Sequence, residues 1–303
     1  MTRIYLYGSN NFSQFFFPDP GNWNMQGNKI ECVGSGSYAS QNYFGGPPDQ
    51  GSSSNNPGGG AGSYAFTINS NLPFPVQYTI TQSIQAGPGM NWPGATWGIS
   101  GFGFNPPQAA DLFPGVVYTS AGSNYAPGST PGPGSILWYP EGQGARGGDG
   151  GAVGSNSGAQ PGGPQSFPPA GAGGGGGAGG PNGPGTVGQS GTATTFGAGG
   201  KGDAGNTSGG VSAGQAGSQG KEWDNIHGCG GGGAGTNLAT SPTLGQAGGS
   251  GGYFGGAGGG SSAGSGTGVG TGNTNGPNGA GTPGLVVVTY QPNYPAGVGQ
   301  FMV

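Results

Sequence analysis

Along the first 140 residues apolar and polar positions alternate in short bursts separated by turn signals. Runs rich in Tyr, Val, Ile, Thr and Phe occupy Arg3–Tyr7, Phe12–Phe17, Lys29–Val33, Ser63–Ile68, Val76–Ile84, Ala95–Ser100, Gly115–Thr119 and Ser135–Tyr139. These residue types suit a pleated, half-buried surface. Val76-Gln77-Tyr78-Thr79-Ile80-Thr81 repeats with period two, which predicts one buried face. Between the runs, Pro18-Asp19-Pro20-Gly21, Gly45-Gly46-Pro47-Pro48 and Asn105-Pro106-Pro107 break strands and turn the chain. No stretch sustains a helical period capped at both ends. The pattern predicts a β-sandwich of roughly seven to nine short strands over residues 1–140.

Residues 141–283 lose that pattern. Glycine dominates, and large apolar side chains such as Val153, Val187, Val211, Ile226, Leu238, Leu244 and Val269 are thinly spread. They are too few to offset the entropy of ordering so long a stretch around a side-chain core. This half is therefore either disordered or held by its own main chain. Polyproline II backbone makes no internal hydrogen bonds, so its N–H and C=O groups point outward and need partners once buried. With glycine at inward positions no Cβ keeps neighbours apart, which predicts a bundle of polyglycine II helices. Collagen is excluded because its strict Gly-X-Y period is broken, as in Gly264–Gly270, where glycine recurs at every second position.

The strand signal returns at Gly284-Leu285-Val286-Val287-Val288-Thr289-Tyr290. A strand this apolar needs a sheet to enter, and the available sheet is the N-terminal one. The expected fold class is all-β with little or no α-helix. A sandwich-like scaffold over 1–140 carries an inserted glycine-rich module over 141–283, and residues 284–303 return to the scaffold.

Composition sharpens this picture. Of the 303 residues 82 are Gly and 27 are Pro, a balance normally seen in collagen or low-complexity chains. The 14 Phe, 12 Tyr and 5 Trp argue for a folded chain, since disordered segments are poor in aromatics. Only five residues are Lys or Arg and the net charge is −4, too little basic surface to track phosphates, so no nucleic-acid partner is expected. The longest compact apolar run, Leu285–Val288, falls far short of the ~20 residues that span a bilayer, so no membrane partner is expected. Met1–Gly8 lacks an apolar stretch and a small-residue cleavage site, so no signal peptide is expected. Cys32 and Cys229 could close at most one bridge, and two free, buried thiols is the plainer reading.

Candidate chemistry is sparse. Gly171–Gly176 fits a dinucleotide fingerprint on paper, but no strand signal precedes it and no helix signal follows. Gly200-Lys201 and Gly220-Lys221 are followed by Gly202 and Glu222 instead of the Ser or Thr of a phosphate loop. The one dense island is Lys221-Glu222-Trp223-Asp224-Asn225-Ile226-His227-Gly228-Cys229. His227, Cys229 and Asp224 leave a tetrahedral metal site incomplete, so the island reads as a capped turn or packing plug. Two carboxylates suffice for glycoside cleavage, but none of the acids sits in the Trp, Asp and Arg clusters of a sugar cleft. No catalytic residue, cofactor or metal is expected, and the chain does not read as an enzyme. Aromatics that interrupt Gly, Ser and Asn stretches are better candidates for surface contact: Tyr38, Tyr43, Phe44, Phe167, Phe196, Trp223, Tyr253 and Phe254. At loop tips such rings offer a large rigid contact area at low entropic cost. The competing reading is that they plug gaps between scaffold and glycine layers.

Three stretches carry a family likeness. Phe12-Ser13-Gln14-Phe15-Phe16-Phe17-Pro18-Asp19-Pro20-Gly21 leads into Asn28-Lys29-Ile30-Glu31-Cys32-Val33-Gly34-Ser35-Gly36-Ser37. Gly58–Thr67 forms a glycine-rich turn and strand, and Gly279–Tyr290 a closing strand. Together they resemble the glycine-rich domain proteins found widely in bacteriophage tail genes and prophages. Members include tail-fibre tip adhesins with stacked polyglycine helices whose connecting loops touch the bacterial surface. The resemblance implies a virion protein assembled in the host cytoplasm, with other virion proteins and a host cell-surface receptor as partners. It also implies a homo-oligomer, a trimer being usual for phage fibres. The alternative is a non-adhesive virion subunit, such as a capsid spike or decoration protein. A module for binding ice or polysaccharide through a flat Gly/Thr/Ser face ranks lower, because Thr has no regular spacing.

Overall fold

The computed structural model describes residues 1–7, 12–16, 23–24, 27–39, 58–69, 76–80, 93–97, 117–120, 136–138, 143–145, 171–192, 195–237, 246–261 and 277–292. Among these the fold is mostly β, with no α-helix and one short 3-10 turn at Asp203–Gly205. The strands are β1 (Thr2–Leu6), β2 (Phe12–Phe16), β3 (Lys29–Val33), β4 (Tyr64–Ile68), β5 (Val76–Ile80), β6 (Pro93–Trp97), β7 (Val117–Ser120), β8 (Ile136–Trp138), β9 (Gln143–Ala145) and β10 (Leu285–Tyr290). Every expected apolar run overlaps a strand. The exception in the other direction is β9, whose Gln-Gly-Ala sequence has no large apolar residue and which forms by pairing its backbone with β4.

Two antiparallel sheets result, ordered β1-β10-β3-β4-β9 and β2-β5-β6-β7-β8. The returning strand β10 enters the first sheet between β1 and β3, where Val287 stands opposite Tyr5 on one side and Glu31 on the other. Because side chains alternate across a strand, the registers sort that sheet into two faces. Tyr5, Leu285, Val287, Glu31, Val33, Tyr64 and Phe66 share one face. Ile4, Val286, Val288, Tyr290, Ile30, Cys32 and Ala65 share the other. All six residues of β10 are buried, so this strand is covered on both faces. That double cover explains why it reads as a continuous apolar run instead of alternating.

The two faces have different neighbours. The Tyr290 ring lies 5.3 Å from Trp23, which in turn meets Phe16 of β2 at 6.3 Å, linking the second face to the other sheet. In β5, Tyr78 and Ile80 are both buried, two positions apart as the period-two pattern requires. On the first face Val33, Tyr64, Leu285 and Val287 form one cluster with Ala178, Trp223, Cys229 and Phe254 from the glycine-rich segments.

Those segments are joined by main-chain hydrogen bonds that recur every third residue. In 171–180, Gly171, Gly174, Gly177 and Gly180 donate to the carbonyls of Thr192, Gln189, Thr186 and Gly183. Ala172, Gly175 and Ala178 donate to Thr236, Gly233 and Gly230, while Gly176 and Gly179 donate to Gly59 and Gly62. One segment thus addresses three neighbours in three directions. The approach is close enough to exclude side chains: a Cβ on Gly230 would stand 1.7 Å from the Gly252 carbonyl oxygen, and one on Gly171 would stand 1.8 Å from that of Thr195. The segments that continue β3, precede β4 and precede β10 also bond to one another, as Gly34 to Ser63 and Gly36 to Thr282 show. The sheet therefore runs on into the glycine-rich part through three of its own strands.

Candidate functional site

The dense island at 221–229 folds as a tight loop over the first face of the sheet. Asp224 makes the turn: its Oδ1 accepts the amide N–H of Ile226 and of His227, each at 2.8 Å. The Trp223 amide donates to the His227 carbonyl at 3.2 Å. A short acidic side chain bonding to amides two and three residues ahead is the usual way such a turn is closed. Asp224 Oδ2 lies 2.7 Å from His227 Nδ1. What desolvation Asp224 suffers opposes its ionisation, but the Ile226 amide, the His227 ring and the Tyr5 phenol outweigh it and hold the carboxyl well below the usual carboxylate range. The imidazole lies flat on the Tyr5 ring, 3.8 Å between centroids and 7° between planes. Phe254 is parallel to it at 5.9 Å and Tyr7 is tilted against it at 5.3 Å.

Beneath the loop lies a buried carboxylate. Glu31, only 3% exposed, accepts from Lys29 Nζ at 2.7 Å, Tyr64 Oη at 2.7 Å and Trp223 Nε1 at 3.1 Å. A buried charge is tolerable when it is partnered in this way. Burial, and then the Glu31 charge, push the Tyr64 phenol far up, so it remains a donor. Arg3 Nη1 on β1 donates to the Trp223 carbonyl at 2.8 Å. Trp223 is thus held at both ends, by β3 through its ring and by β1 through its backbone.

Cys229 and Cys32 are both free and buried. Burial pushes both thiols well up, which removes the thiolate needed for reaction or metal binding. Among the described residues no group of three His, Cys, Asp or Glu side chains is placed to hold a metal ion. What the arrangement does chemically is fasten: ionic, aromatic and hydrogen-bonding contacts pin a glycine-rich loop to a sheet.

The candidate contact aromatics separate. Trp223 (9% exposed) and Phe254 (4%) are buried together in the cluster against the sheet, which corrects the expectation that they present surface. They pack because the glycine-rich segments offer few other large side chains to meet Val33, Leu285 and Val287. Tyr253 is 52% exposed and touches Phe254 edge-on, Tyr38 is also exposed, and Phe196 is half-buried. Tyr43, Phe44 and Phe167 lie outside the described residues. Sequence reading missed Arg3, Tyr5, Tyr7, Glu31 and Tyr64. A signal did exist for Glu31: an acid within Ile30-Glu31-Cys32-Val33 must either face water or find donors. No helix of the described residues is long and apolar enough to cross a membrane. No family model, curated protein or solved structure matches the chain.

Proposed function

We propose that the chain is a non-enzymatic virion structural protein of bacteriophage type, a tail-fibre or tip component that contacts the host surface. In this reading the two sheets form a β-sandwich and the glycine-rich segments a polyglycine II bundle mounted on it. The observation that carries it is the three-residue recurrence of main-chain bonds in segment 171–180. That recurrence is the period of polyproline II backbone, and it yields a stiff rod from small residues. The close approach of β3 and β4 to β6, β7 and β8 supports the sandwich. Exposed Val187, Val211 and Tyr253 between the ladders are free to vary without loss of the lattice, which suits a surface reader. The partners are other virion proteins, further copies of the chain in a homo-oligomer such as a trimer, and a host receptor.

The burial of Trp223 and Phe254 favours a second reading, in which the module is a rigid spacer in a capsid spike or decoration subunit. Immunogold labelling with an antibody against the full chain separates the two. A tail adhesin places the label at the tail tip, and the purified chain competes with particles for adsorption to host cells. Label on the capsid without competition selects the second reading, and particles that carry no label overturn both.

A further inference from the structure

Strand β1 is the outer strand of its sheet. It pairs with β10 on one side, and among the described residues no strand meets the other. In an antiparallel ladder alternate residues turn their N–H and C=O groups to opposite sides. About half of the main-chain groups of Thr2–Leu6 therefore point out of the sheet. Such an edge is a template for another strand unless the sequence blunts it. β1 lacks the usual blunting devices: it holds no proline, and its register with β10 runs from Thr2 to Leu6 without a bulge. Its single charge, Arg3, is drawn onto the Trp223 carbonyl at 2.8 Å. The opposite edge of the sheet is different, because β9 has only three residues and offers little to pair with.

Apolar surface surrounds the free edge. Met1 and Tyr7, at the two ends of β1, are both exposed. Tyr7 leans on His227 and Phe254, whose chain neighbours Ile226 and Tyr253 are exposed as well. Exposed apolar side chains gathered beside unpaired main chain mark an interaction surface.

The strand that fits this edge best is β1 itself. A two-fold axis through an antiparallel strand pair must fall at a single residue, because only then do matching faces lie on the same side in both copies. An axis at Arg3 sets two guanidinium groups against each other. An axis at Tyr5 sets Thr2 opposite Gly8, past the end of the strand. An axis at Ile4 pairs all five residues. Thr2 then stands opposite Leu6 and Arg3 opposite Tyr5, so no like charges meet. One step farther out, exposed Met1 stands opposite exposed Tyr7. The register that uses the whole strand also covers both of its exposed ends.

We propose that β1 pairs with β1 of a second copy about a two-fold axis at Ile4, joining two five-stranded sheets into one continuous sheet. The pairing rests on the homo-oligomer in the reading above, not on host contact, and makes that oligomer a dimer.

Sedimentation equilibrium of the full chain tests the partner, with an expected mass of twice the 29.0 kDa of one chain. Hydrogen–deuterium exchange tests the surface. Protection of the β1 amides is expected to rise by about tenfold or more as monomer gives way to dimer, while that of β10 is unchanged. Disulfide trapping tests the register. Directly opposed residues stand about 4.5–5.5 Å apart at Cα, within bridging reach, so Ile4→Cys should yield a covalent dimer on mild oxidation. Thr2→Cys is the control, since its two copies are offset by about 13 Å along the strands and should stay uncoupled. A chain that remains monomeric, or a mass of three chains, overturns the proposal. So does a dimer whose β1 amides exchange as in the monomer, or one in which Thr2→Cys couples and Ile4→Cys does not. Should Ile4→Cys fail to fold, mass and exchange of the wild-type chain decide. Adsorption to host cells is read separately, so a monomer that still competes overturns the pairing and leaves the attachment reading standing.

Discussion

Strand β10 and segment 171–180 are both buried along their whole length, yet they bury different things. β10 hides Leu285, three valines and Tyr290, and its stability comes from side-chain area removed from water on two faces. Segment 171–180 carries nothing larger than the methyls of Ala172 and Ala178. What it hides is backbone, and hiding backbone is tolerable only because the amides of Gly171, Ala172 and Gly174 through Gly180 each find a carbonyl outside the segment. Burial and hydrophobicity are separable, and the Trp223 loop stands where the two regimes touch. There the scarce large side chains of the glycine-rich part are gathered against the sheet.

The sharpest way to break this contrast is to add side-chain volume to the lattice. Gly230→Val puts atoms where the Gly252 carbonyl already stands and is expected to cost on the order of 5 kcal/mol or more, or to prevent folding. Chemical denaturation measures it, and a cost like that of a surface substitution would falsify the main-chain account. Removing volume tests the other regime. Leu285→Ala, at a fully buried position, should lose about 2–5 kcal/mol in the same assay through the cavity it leaves. At the junction, Trp223→Phe deletes the indole donor to Glu31 and should cost about 1.5–3 kcal/mol. If the variant matches wild type in thermal melts, Glu31 does not depend on that donor. The smallest effect is expected at Tyr253→Ala, which should leave stability within about 0.5 kcal/mol because the ring is half in water. The same variant should weaken competition for host adsorption if this face meets the receptor, a loss that a spacer would not show.

Much of the sheet architecture was legible because apolar strands announce themselves locally. The alternation at Tyr78 and Ile80 and the unbroken run at Leu285–Val288 each report how many faces are covered. β9 was not legible: Gln143, Gly144 and Ala145 have no pattern of their own, and only the free edge of β4 makes them a strand. The loop at 221–229 was legible as a turn, since Asp224 lies two and three residues before the amides it accepts. Its docking was not, because Arg3, Tyr5 and Glu31 lie roughly two hundred residues away in the chain and only the sheet brings them under it. For the same reason the sequence left Trp223 and Phe254 open between surface contact and gap-filling, and the fold buries both.

Residue order alone settles what each segment is able to do. Val- and Tyr-rich runs must pair as strands, and glycine-rich runs, lacking side chains, can be buried only by bonding backbone to backbone. Those consequences follow from local sterics and from the need of every buried amide for a partner. Folding in three dimensions decides which segments meet: β10 between β1 and β3, the phases of 171–180 among their three neighbours, Thr207 beside Glu222. Glycines are interchangeable in composition, and only their placement against particular carbonyls tells them apart.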